Sequence, residues 1–199
     1  QGENGFMKAC QTGQHQIVEL LLKQVNYQEI ILSKDKLGEN GFMKACHMGQ
    51  YEIVELLLKQ VNNQEIFDSK NQLGENGFMK ACYMGQHRII EILLKYPNNK
   101  DVIVKQDNSE KTGFIHAYLN KREDVVEALL NHPNNDEMLY VSFQVSCKLG
   151  YFGIVEMFLK EVNYQEIISS KDELGENGFM KACYMGQHRI IEILLKYPN

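Results

Sequence analysis

The sequence predicts an all-α solenoid: helix–turn–helix units stacked into one array, with extended finger loops between them. Two observations predict it. The segment Gly2-Glu-Asn-Gly-Phe-Met-Lys-Ala-Cys10 returns at Gly38–Cys46, Gly74–Cys82 and Gly175–Cys183, and recurrence at such a period marks a repeat architecture. Each copy is followed by apolar residues at helical spacing. Leu73–Asn98 and Leu174–Asn199 are identical over 26 positions, and weaker copies lie at Thr112–Tyr118 and Ser142–Cys147. The glycine before each phenylalanine falls at 5, 41, 77, 113 and 178, with Ser142 in its place in the fifth copy, so the steps are 36, 36, 36, 29 and 36. Residues 1–199 therefore divide into units of about 1–37, 38–73, 74–109, 110–138, 139–174 and 175–199.

The elements of one unit follow in order. Asn4 suits the N-cap of a first helix, Gly5–Thr12, and Gly13 suits a left-handed stop. A second helix runs from about residue 14 to 24. Ile17, Val18, Leu21 and Leu22 form its buried stripe, and Glu19 and Lys23 form an outer i,i+4 pair that recurs in four other units. Asn26 and Glu29, Asn62 and Glu65, and Asn163 and Glu166 have the spacing of a capping box. They predict a short extra helical turn, then an extended finger such as Ile30–Leu37, turned at its tip by Asp35, Asn71 or Asp172. One aliphatic stripe cannot offset the entropy of ordering a unit, so stacking must supply the stability.

Two departures stand out. Lys121 replaces the helix-ending glycine of the fourth copy. The short step between the fourth and fifth copies removes a segment equivalent to 106–112, so one finger should be missing and a notch left behind. Lys111, His116, Lys121, Arg122 and Lys148 fall around that notch. A basic pocket for an acidic peptide is one reading, and drift of a redundant unit is the favoured one.

Composition narrows the function. The net charge of −5 argues against a nucleic-acid partner. No apolar run reaches the roughly 18 residues of a membrane span, so no membrane insertion is expected. No charged leader opens the chain, so no secretory signal is expected, while the start at Gln1 leaves room for an upstream segment. Cys10, Cys46, Cys82, Cys147 and Cys183 share one repeat position, which reads as a small buried residue rather than a metal or redox set. Free thiols without a disulfide pattern suit a reducing, intracellular and cytoplasmic setting. No catalytic, metal or cofactor motif occurs, and His116 has no nucleophile beside it, so no enzyme activity is expected.

The string Gly38-Glu-Asn-Gly-Phe-Met-Lys-Ala-Cys-His-Met-Gly-Gln50 followed by Ile53-Val-Glu-Leu-Leu-Leu58 resembles an ankyrin repeat. Gly49, Ile53, Val54, Leu57 and Leu58 match the family pattern, whereas Asn-Gly-Phe-Met stands where the family has Thr-Pro-Leu-His. The period of 36 exceeds the family's 33, with the extra residues in the linker. The resemblance covers the whole chain as six units. It implies a non-catalytic scaffold that binds a protein partner on a concave face made of fingers and first-helix ends. Carried over by position, that face holds Glu39, His47, Met48, Glu75, Tyr83, Met84, Lys111, His116, Leu119, Lys148, Glu176, Tyr184 and Met185. The Lys8, Lys44, Lys80 and Lys181 column, one turn earlier, is expected to neutralise the glutamates. The partner's identity is not legible. Two other readings are a structural spacer in a large assembly and the targeting arm of a larger effector or enzyme. Neither end reads as a polar cap, so the chain is expected to be a monomeric array, part of a longer array, or a subunit whose ends neighbours cover.

Overall fold

The computed structural model describes residues 2–60, 64–96, 100–133 and 135–197. Its helices, in chain order, are α1 (Gly5–Thr12), α2 (His15–Leu22), α3 (Tyr27–Leu32), α4 (Gly41–Met48), α5 (Tyr51–Gln60), α6 (Gln64–Asp68), α7 (Gly77–Met84), α8 (His87–Lys95), α9 (Lys100–Ile103), α10 (Gly113–Leu119), α11 (Glu123–Asn131), α12 (Asp136–Leu149), α13 (Phe152–Glu161), α14 (Tyr164–Ser169), α15 (Gly178–Tyr184) and α16 (His188–Leu194). First helices stack on first helices in a front row, α1 on α4, α4 on α7 and α12 on α15, and second helices form a back row behind them. The array is an all-α solenoid.

Local chemistry starts and stops these helices. The Asn4, Asn40, Asn76 and Asn177 side chains accept the backbone N–H three residues on, and Thr112 does the same for α10. Gly13, Gly49 and Gly85 end their helices at φ 77°, 78° and 78°. Lys121 keeps that left-handed turn at φ 56°.

The fingers also follow the sequence at their tips. The Asp35 carboxylate accepts N–H bonds from Leu37 and Glu39 at 2.8 and 3.0 Å. Asn71 and Asp172 make the same turn. Adjacent fingers are tied by their backbones: the Gln72 N–H donates to the Leu37 carbonyl and the Asn108 N–H to that of Leu73. The linker differs from expectation. The extra helix α3 extends through Ile30, Ile31 and Leu32, so the finger starts at Ser33. Asn26 makes no side-chain cap bond, because its backbone is not extended. Asn163 caps Gln165 rather than the residue expected of a capping box, and Asn62 lies outside the described residues.

Stacking depends on one close approach. A Cβ on Gly41 would stand 2.6 Å from the Phe6 ring and 3.0 Å from Cys10 Sγ, and Gly77 and Gly113 meet the preceding Phe and Cys in the same way. The glycine of each front helix is thus the socket for the previous unit's phenylalanine and thiol. Cys10, Cys46, Cys82 and Cys147 are buried and Cys183 is exposed. Burial pushes the Cys10 thiol up to about 12 and raises the Cys46, Cys82 and Cys147 thiols as well. A second tie crosses four of the five junctions: the Gln50, Gln86 and Gln187 amides and the Arg122 guanidinium donate to the carbonyls of Gln11, His47, Lys148 and Tyr83.

The junction between α10 and α12 is built otherwise. The missing finger does not leave a loop. The short third helix and the next front helix merge into the 14-residue α12, because Val141 stands where the other units carry a capping Asn or Thr. The unit boundary read from the sequence, 138/139, falls inside this continuous helix. Ser142 replaces the socket glycine and hydrogen-bonds to Thr112 at 2.8 Å. Tyr118 replaces the cysteine, and its hydroxyl lies 2.8 Å from where a Cβ on Gly153 would be. Phe158, at a leucine register, stacks on Phe114 with centroids 4.8 Å apart. At this junction a groove of about 870 Å³ opens between α11 and α13, lined by Leu119, Lys121, Val126, Leu130, Met157 and Glu161 among others.

Candidate protein-binding face

The front-row helix ends and finger bases form one side of the array, and the candidate residues fall at these two kinds of position. Their charges are largely spent on each other. Lys44 Nζ lies 2.8 Å from Asp35, 3.3 Å from Glu3 and 3.7 Å from Glu39. Lys80 lies 2.8 Å from Glu39 and 3.5 Å from Glu75. Each lysine thus bridges its own finger and that of the preceding unit. Glu75 is buried and also accepts from the Asn71 amide at 2.8 Å. Lys181 continues the pattern with Asp172 and Glu176. In the fourth unit the buried His116 takes the lysine register, with Nε2 2.8 Å from Asp107. Lys148 pairs with Glu110 of the fourth unit's finger. Half-buried Lys111 donates its backbone N–H to Asp107.

This pairing sets the protonation of the ladder. Burial alone would raise the Asp35 carboxyl, but the Lys44 ammonium and the Glu39 and Leu37 N–H groups hold it below the ordinary carboxylate range. Burial opposes the charge on Lys44 and Lys80 too, and the carboxylates outweigh it, so both ammoniums titrate above the ordinary range. His47 goes the other way: burial first, then the Lys80 ammonium, hold its imidazole below the ordinary range. Its buried Nδ1 has no hydrogen-bond partner among the described residues.

The basic residues predicted around the missing finger do not act as one pocket. His116 and Lys148 are held by acids, Arg122 reaches back to the Tyr83 carbonyl, and Lys121 and Arg122 line the back-row groove. The sequence reading missed that groove. Its signal was available: Tyr118 for Cys, Gly153 among charged repeat-mates, and Phe158 for Leu.

Beside the exposed Glu176, what remains open on the front side is mostly apolar. Met48, Tyr83, Leu119, Tyr184 and Met185 are between 42% and 88% exposed, with Met84 half-buried. Tyr83 leans edge-on toward His116 at 6.2 Å. This is a strip of adaptable and aromatic side chains beside a neutralised ladder. Among the described residues, no group of three His, Cys, Asp or Glu is placed to hold a metal ion, and no helix is long and apolar enough to cross a membrane.

Stacked two-helix units with interlocked finger loops define a helical-repeat protein. The family model "Ankyrin repeats (3 copies)" matches residues 1–68 and 43–139, and the chain belongs to the ankyrin repeat family. Such repeats are generally protein–protein interaction modules, and the proteins that carry them are typically non-enzymatic binding scaffolds. No curated protein matches the chain.

Proposed function

We propose that this array is a non-catalytic scaffold that holds a protein partner on its finger and front-helix side, the concave side in this family. The observation that carries the reading is the exposed row Met48, Tyr83 and Leu119, continued by Tyr184 and Met185. Aromatic side chains at open helix ends supply contact area at low ordering cost, and thioethers adapt to the surface they meet. The ladder beside them is already neutralised, so it orients a partner more than it attracts one. The partner surface that fits is apolar at its centre and polar at its rim.

The test is affinity capture from the source cells, read by mass spectrometry. Wild-type chain is compared with a Tyr83→Ala, Met84→Ala, Tyr184→Ala variant shown by circular dichroism to be folded. A specific partner that is enriched by the wild type and lost by the variant supports the strip as the recognition site. Equal capture by both forms overturns it.

A further inference from the structure

We propose that the groove between α11 and α13 takes a short amphipathic helix of another protein, apolar on the face laid into the groove and basic at the end beside Glu127 and Glu161. The groove opens on the back row and shares only Leu119 with the front-side strip, so it is a second interface.

The other units show what is uncovered here. α8 packs on α5, α11 on α8 and α16 on α13, but α13 makes no comparable packing with α11. The stripe left open is the one that repeat-mates bury. Val126 and Leu130 are half-buried, whereas Val54 and Ile90 at the first register and Leu58 and Leu94 at the second are buried. Met157 faces them across the groove. The back-row bridge is missing as well. Arg88 lies over Tyr51 and Arg189 over Phe152, each 3.4 Å from the ring centroid. Gly153 and Glu123 hold those registers at this junction, so no arginine-to-ring bridge spans the mouth.

Length and charge choose the occupant. The nine residues of α11 rise about 13 Å, or about two and a half turns of a helix laid beside them. A helix that docks in such a groove presents one apolar stripe. In the other five units the outer glutamate of the second helix is followed four residues on by lysine, but Glu127 is followed by Asn131. Glu161 adds a second exposed carboxylate where Gln24 and Tyr96 stand in earlier units. Neither carboxylate has an ion pair among the described residues. Glu127 lies one turn before the end of α11 and Glu161 ends α13, and helix C-termini are themselves negative. Lys121 and Arg122 line the opposite end, and Arg122 is already engaged by the Tyr83 carbonyl. A helix laid parallel to α11, with lysine or arginine in its last turn, meets the two open carboxylates and complements its own dipole.

The probe is a phage-displayed library of random peptides of about 16 residues, long enough for about four turns. It is selected on the folded wild-type chain, and the enriched peptides are synthesised and titrated by fluorescence anisotropy. They are expected to carry apolar residues at helical spacing and a basic last turn. In chain labelled with carbon-13 at the methionine methyls, they should shift the Met157 signal, assigned with Met157→Leu, and leave those of Met48, Met84 and Met185 in place. Glu127→Lys with Glu161→Lys changes two exposed side chains and is expected to fold like wild type. It should weaken the peptides about tenfold, and peptides with glutamate in place of their basic residues should recover the loss. Selection that yields no peptide able to move Met157 overturns the proposal. So do peptides that move only the front-side methionines, an affinity unchanged by the charge reversal, or a Met157 signal that shifts with chain concentration alone, which would place a second copy in the groove.

Discussion

At the residue scale, two side chains show how departures from the repeat are tolerated. Lys121 holds a left-handed backbone that Gly13, Gly49 and Gly85 hold without a Cβ. Lys121→Gly is expected to raise stability by about 1 kcal/mol, read from the midpoint of urea unfolding. Asp35 both turns a finger and neutralises Lys44. Asn71 makes the same turn without the charge, so Asp35→Asn should keep the turn and remove only the ion pair. Because the folded carboxyl titrates below its ordinary value, its contribution is complete above the unfolded pKa and is lost as pH falls through the folded one. The variant should be about 1–2 kcal/mol less stable at neutral pH, and the gap should close toward about pH 3. Caps, stops and fingertip turns were legible in the sequence because each is a local bond to a backbone N–H. That the lysine column neutralises the glutamates was legible too; that Glu39 pairs with the next unit's Lys80 and that Glu75 is buried was not, since both depend on how far neighbouring fingers overlap.

At the element scale, the junction between α10 and α12 is the array's one change of construction. The deficit of seven residues told the sequence reading that a finger was missing. It did not tell that two helices would fuse, because that turns on Val141 failing to cap. The groove that results was hidden because Tyr118 and Gly153 lie far apart in sequence and compensate each other in space. Gly153→Arg, the residue of its repeat-mates Arg88 and Arg189, should cost about 1–3 kcal/mol by overpacking. Tyr118→Cys in the same chain should return part of that, giving a coupling of about 1 kcal/mol in a double-mutant cycle of unfolding free energies. Additive effects would show that the two side chains do not share the space.

At the scale of the whole molecule, the stack was legible because one pattern recurs six times, and a repeated stripe has only its neighbours to pack against. The use of the front face was legible only as far as the family goes. The proposed recognition there is apolar, since the ladder consumes its own charge. The affinity for a captured partner, measured by titration calorimetry, is therefore expected to fall less than about threefold between about 0.1 and 0.5 M salt. A steep salt dependence would mean that the lysines leave their carboxylates to meet the partner.

The α10–α12 junction also shapes how the array responds to force. Elsewhere, neighbouring units are tied by a side chain reaching a helix-end carbonyl, among the first three fingers also by their backbones, and in the back row by Arg88 over Tyr51 and Arg189 over Phe152. At this junction one finger is absent, and Tyr151 stands where Gln50, Gln86 and Gln187 make the carbonyl tie. What holds it is the Phe114–Phe158 stack, the Thr112–Ser142 hydrogen bond and the Lys148–Glu110 pair, with neither a finger-backbone bond nor the helix-end tie. A load along the array would therefore concentrate its strain there, widening the groove while the four units before it and the two after it moved as blocks. Among the described residues this is the one joint without either tie, and its place is set by seven absent residues.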